Sequence, residues 1–157
     1  MKYKIKEIIP EKLSLNKIEL NNGTIFNVKY NNDSLEFQTP KLFIDSLVKE
    51  KNQLSLKMMN TQACKTFYDK ITEIEAFLTK TLKNKIKSIF YEDLLNIKIP
   101  FSHSKPLVKI YKDEKLFNYY HLEKDTNIIC LVTLDKIWIN NFNEPSYHLS
   151  AKEIMII

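Results

Sequence analysis

The sequence predicts an α+β fold: a mostly antiparallel barrel or strongly bent sheet carrying one long helix between N-terminal and C-terminal strands. Three observations predict it. Alternating apolar residues separated by turn residues fill roughly the first third of the chain. An unbroken apolar stripe at three- and four-residue steps fills the middle. Alternation then returns and runs to the last residue. Strands, then a helix, then strands is the order of an α+β domain, not of repeating βαβ units.

The N-terminal elements follow in order. Leu13, Leu15, Ile18 and Leu20 make one strand, Asn21-Asn22-Gly23 a hairpin turn, and Ile25, Phe26, Val28 and Tyr30 the returning strand. Asn31-Asn32-Asp33 turns the chain again. Leu35, Phe37 and Thr39 alternate with Glu36 and Gln38 until Pro40 ends the run. After a connection, Leu54, Leu56 and Met58 alternate with Ser55 and Lys57.

The helix opens at Thr61, whose hydroxyl suits an N-cap. Phe67, Ile71, Ile74, Leu78, Leu82, Ile86 and Ile89 form its stripe, which predicts an end between Phe90 and Asn96. Lys80, Lys83, Lys85 and Lys87 then fall in the last turns, where the helix dipole favours positive charge. Residues 97–101, broken by Pro100, have no regular pattern.

Strands resume at Leu107–Tyr111, at Phe117–Leu122 and over the β-rich stretch Asn127–Ile139. A loop from Asn140 through Pro145 leads to a last strand in His148–Ile157. This order suits a five-stranded Greek-key barrel of the OB type, in which the helix is expected between the third and fourth strands.

Length and composition set the class. A chain of 157 residues, 44% hydrophobic and 27% charged, fits a single domain, 1–157, with a proper core. No apolar run approaches the roughly 20 residues of a membrane span, and the start, Met1 to Lys6, alternates charge with apolar residues. An intracellular protein with no membrane partner is expected. Cys64 and Cys130, far apart, read as free thiols.

Several chemistries are excluded or disfavoured. Gly23 is the only glycine, so the chain has no glycine-rich phosphate loop, dinucleotide fingerprint or nucleophile elbow. His103, His121 and His148 lack metal-ligand spacing. The acidic neighbours Glu73/Glu75, Glu92-Asp93 and Asp113-Glu114 read as surface charge. No cofactor and no catalytic function is expected.

The charge pattern points to a partner. The net charge is +5, and all 24 basic residues are lysine. Lysine follows a phosphate backbone but lacks the fork with which arginine reads guanine. An AT-rich coding sequence would leave the same lysine, asparagine and isoleucine bias. A single-strand binder needs a positive groove and aromatics on which bases stack. Lysine and aromatics interleave at Lys29-Tyr30 with Phe37 beside them, at Tyr111 between Lys109 and Lys112, and at Tyr119 and Tyr120 just after Lys115 and Phe117. The candidate nucleic-acid-binding residues are therefore Lys29, Tyr30, Lys109, Tyr111, Lys112, Lys115, Tyr119 and Tyr120. Trp138, between Ile137 and Ile139, reads as core first and as a stacking platform second.

Two stretches carry a resemblance: Leu35-Glu36-Phe37-Gln38-Thr39-Pro40-Lys41-Leu42, and Leu131 to Ile139 with the Asn-rich loop and final strand after it. With the helix between them, the layout resembles the OB-fold single-stranded DNA-binding proteins of nucleocytoplasmic large DNA viruses, a group compared with the phage T7 binder. The resemblance implies low-specificity binding of single-stranded DNA (RNA stays open) in replication or repair, within the cytoplasm or nucleus of a host cell. The phage-type acidic C-terminal tail has no counterpart in Ile154-Met155-Ile156-Ile157. The competing expectation is a structural or scaffolding protein, such as a minor virion component or the subunit of a homo-oligomer, without nucleic-acid binding.

Overall fold

The computed structural model describes residues 2–48 and 52–157. In chain order its elements are β1 (Lys2–Tyr3), β2 (Leu13–Leu20), β3 (Gly23–Tyr30), β4 (Leu35–Gln38), β5 (Leu42–Val48), β6 (Gln53–Lys57), α1 (Gln62–Leu82), β7 (Phe90–Tyr91) and β8 (Leu94–Lys98). There follow β9 (Phe101–Ser102), β10 (Lys105–Pro106), β11 (Lys109–Lys112), β12 (Lys115–Leu116), β13 (Asn127–Leu134), β14 (Lys136–Ile139), β15 (Pro145–Tyr147) and β16 (Leu149–Ile156).

Five strands close a barrel in the order β5-β6-β8-β16-β13 and back to β5. All neighbours are antiparallel except β8 and β16, which run parallel. The fold is thus α+β with an OB-like barrel, as the order of sequence patterns predicts. Two of the barrel strands are broken. Both β4 and β5 pair antiparallel with β13, split by Thr39-Pro40-Lys41. Both β8 and β11 pair parallel with β16, split by the small β9–β10 hairpin.

Inward-facing Leu42, Ile44, Leu54, Leu56, Leu95, Ile97, Ile128, Cys130, Val132, Leu149 and Ile154 are all buried. Phe67, Ile71, Ile74 and Leu78 of α1 join the same contiguous core, so the predicted stripe does pack. Thr61 caps the helix as expected, its Oγ1 accepting from the Cys64 N–H at 3.1 Å.

Four expectations are corrected. The helix ends at Leu82, not near residues 90–96, because Lys83 turns left-handed at φ 58°. Ile86 stays buried beyond that end, its N–H donating back to Thr79 Oγ1, so it continues the apolar pattern without continuing the helix. The helix lies between the second and third barrel strands, not the third and fourth. The connection expected at 41–53 is largely the first barrel strand, residues 49–51 of it lying outside the described residues; a register shift between Ile44 and Ser46 breaks its alternation. Phe117–Leu122 is not a strand but contains a 3-10 turn, Tyr119–His121.

A second sheet, ordered β15-β14-β3-β2, stands beside the barrel. It joins the N-terminal hairpin to the β14–β15 hairpin, which is the connection between the fourth and fifth barrel strands. Its inner face supplies Val28, Tyr30, Ile137 and Tyr147 to the core. Glu75, expected as surface charge, is instead buried: Tyr147 donates its hydroxyl to the Glu75 carboxylate, which also accepts from the Ile89 N–H at 3.0 Å. Burial and the Glu75 charge hold the Tyr147 phenol well above its ordinary range. That junction ties α1, the segment after it and the β15 strand together.

Candidate functional site

The predicted lysine–tyrosine residues fall into separate places. Lys29 is exposed on β3, but Tyr30 is only 2% exposed. Its hydroxyl accepts from the Ile9 N–H at 3.0 Å and its ring meets Tyr3 edge-on at 4.7 Å. Tyr30 is therefore a core residue, with no face left for a base. Lys109, Tyr111 and Lys112 stand on β11 and Lys115 on β12, in the barrel sheet rather than beside Lys29.

Acidic groups dilute the charge around Tyr111. Lys109 faces Glu153 across the β11–β16 pair, and Asp113 and Glu114 form the β11–β12 turn with φ of 51° and 66°. Tyr111 borders a groove of ≈ 600 Å³ that is walled by Ile129, Met155 and Ile157 together with those acids. The Lys112 ammonium lies 5.8 Å over the Phe117 ring. Tyr119 is buried and Tyr120 is 55% exposed. Burial, then the neighbouring Tyr120, raises the Tyr119 phenol, and its buried hydroxyl has no partner among the described residues.

A different set of side chains converges beside the barrel. Strand alternation sends Ile137 into the core and turns Lys136 and Trp138 outward. On the same outer face, Trp138 is paired with Ser146 on one side and Ile25 on the other. The indole lies over Gly23: a Cβ there would come within 2.9 Å of Trp138 Cζ2 and 2.5 Å of the Ile139 carbonyl oxygen. Gly23 itself sits at φ 154°, so the one glycine serves both the hairpin and the close approach of the ring.

Facing this sheet is the barrel strand β8. A concavity of ≈ 300 Å³ lies between them, lined by Ile25, Lys98, Asp135, Lys136, Trp138 and His148. It adjoins a second hollow of ≈ 310 Å³ through the shared residues Ser146, Tyr147 and His148. That hollow runs over Gln53 of β6 and Asn96 of β8, with Lys87, Ser88 and Ile89 as its far wall. The Lys87 N–H donates to the Pro145 carbonyl at 2.9 Å, which fastens that wall to the β14–β15 hairpin. The result is one groove with three exposed lysines and a half-buried tryptophan.

His148 is the imidazole of this groove. Desolvation by the groove walls, then the Lys98 ammonium, holds its imidazole below the ordinary range. The remaining chemistry of the chain is quiet. Cys64 is buried and directs its thiol at the Lys41 carbonyl, and burial pushes the Cys130 thiol up to about 12. No group of three metal-ligating side chains forms among the described residues. No helix among them is long and apolar enough to cross a membrane.

Neither models of known protein families nor the curated proteins give a match. The site therefore rests on its own geometry. The sequence reading misses Trp138, Lys98, Lys136, Lys87 and His148 as one site, although alternation alone puts Trp138 opposite the buried Ile137. No sequence signal pairs Lys98 with Lys136, since their strands meet only through the fold.

Proposed function

We propose that the chain is a non-catalytic, low-specificity binder of single-stranded nucleic acid, and that the strand follows the groove between β8 and the β14–β15 hairpin. One observation carries this reading. The groove crosses the second and third barrel strands and the connection between the fourth and fifth, the surface by which OB barrels hold oligonucleotides. Its residues supply what such binding needs: Lys87, Lys98 and Lys136 for phosphates and the outward Trp138 for a stacked base. We further propose a role where single strands are exposed, in replication or repair. The absence of arginine argues for backbone tracking over base reading.

A titration of oligo(dT) against salt, with a duplex control, tests the proposal. Three phosphate contacts predict a slope of log K against log salt of about −2 on single strands. Lys98→Glu with Lys136→Glu should abolish most of the affinity. Salt-independent binding, or equal binding to duplex, overturns the reading. The assembly reading draws on the apolar groove of Ile129, Met155 and Ile157. It moves to first place if oligonucleotides do not bind at low salt.

A further inference from the structure

The second sheet ends in a free strand. Among the described residues β2 pairs only with β3, leaving one edge of an eight-residue strand without a backbone partner. Its first part is covered, but residues 16–20 project beyond the core and are exposed. Ile18 and Leu20 there are 41% and 46% exposed. An exposed, apolar edge strand is a template for another strand unless its side chains oppose pairing.

The charges at this edge favour self-pairing. Charged side chains on an edge discourage pairing with a foreign strand, but Lys17 and Glu19 flank Ile18 with opposite signs and so can complement a second copy. They form an ion pair within the chain at 3.1 Å, and both are well exposed. If two β2 strands pair antiparallel about Ile18, Lys17 of each copy stands directly opposite Glu19 of the other. Asn16 then faces Leu20, and the two Ile18 side chains meet on one face. That face already carries the apolar cross-strand row Ile18–Ile25–Trp138, so pairing would extend an apolar row rather than begin one.

We infer that the free edge of β2 is a homodimer interface, joining two four-stranded sheets into one through antiparallel pairing of residues 16–20. The occupant is a second copy of this chain because the charge pattern is complementary to itself under two-fold symmetry. The inference does not depend on nucleic-acid binding, since no residue of the groove's lysine set is involved.

Sedimentation velocity of the full chain at about 100 μM, well above a micromolar dissociation constant, tests it. The wild type should sediment as a dimer. Lys17→Glu and Glu19→Lys should each weaken the dimer about tenfold, because two symmetry-related pairs turn from attraction to repulsion. The double variant Lys17→Glu/Glu19→Lys should restore it. Ile18→Lys should give a monomer with an unchanged far-UV spectrum; if that variant misfolds, the charge series decides alone. A wild type that stays monomeric, or a dimer indifferent to these four variants, overturns the inference.

Discussion

Two surfaces of this protein carry lysine beside aromatic rings, and they differ in what the rings do. Around β11, β12 and the turn after them, the pairing is one of sequence. Tyr119 is buried, Tyr111 stands among Asp113, Glu114 and Glu153, and the Lys112 charge lies over Phe117. In the groove beside β8 the pairing is one of space. Lys98, Lys136 and Trp138 come from the third barrel strand and from a hairpin about 40 residues later, yet line one concavity. A strand turns neighbours such as Tyr111 and Lys112 to opposite faces, and the 3-10 turn buries Tyr119 while exposing Tyr120, so a dense run of Lys and Tyr is divided as it folds. A sparse set on separate strands can be gathered.

The largest expected effect sharpens the first half of that contrast. Tyr119 packs edge-on against Phe101 at 5.7 Å and against Tyr120 at 5.3 Å. Tyr119→Ala should cost about 3 kcal/mol of stability, in the range of buried aromatic truncation. Tyr119→Phe should be neutral or stabilising by up to about 1 kcal/mol, since it removes a buried hydroxyl without a partner. Thermal melts check both. An Ala variant that melts like the wild type but loses oligonucleotide binding would return the site to the tyrosine cluster.

The second test breaks the contrast from the other side. Trp138→Ala should weaken oligo(dT) binding by roughly 1–3 kcal/mol, tenfold or more, the usual worth of one stacked base. Trp138→Phe should keep most of it. Tyr120→Ala should leave affinity within about twofold, although Tyr120 is the more exposed ring. Fluorescence titration of the three variants, each with a melt, reads the difference. Equal losses for Tyr120 and Trp138 would mean that exposure, not the groove, decides where bases stack.

The same contrast explains how much was legible in the sequence. The strand–helix–strand order, the Thr61 cap and the stripe Phe67–Leu78 are local patterns, and all are present. What failed was local regularity broken for a tertiary reason. The bulge after Ile44 hid β5. The left-handed Lys83 stopped a helix whose apolar spacing carried on through Ile86. With a single glycine in the chain, some left-handed positions fall to residues such as Lys83 and Glu92, which give no turn signal of their own. The site was least legible, because its residues meet through the parallel β8–β16 pairing and the joining of two distant hairpins.

The smallest expected effect concerns His148, and the His148→Gln variant separates it from the chain's other titrating groups. A free imidazole titrates near about 6.5. In the folded protein, desolvation and Lys98 push His148 below that value, so it is neutral at pH 7. The neutral form is then the favoured one, and its contribution to stability is present above about pH 6.5 and lost as pH falls towards the folded value. A nucleic-acid phosphate in the groove acts oppositely, since a negative charge near His148 favours the imidazolium. Affinity for oligo(dT) should therefore rise by a few-fold as pH drops through that same window, about 0.2–1 kcal/mol for one exposed charge contact. Stability and affinity should move in opposite directions in one pH interval. His148→Gln should flatten both changes while leaving binding at pH 7.5 nearly intact. An affinity that rises on acidification equally in wild type and His148→Gln would assign the effect to the chain's other titrating groups. No change in the wild type would take His148, and this end of the groove, out of the path of the strand.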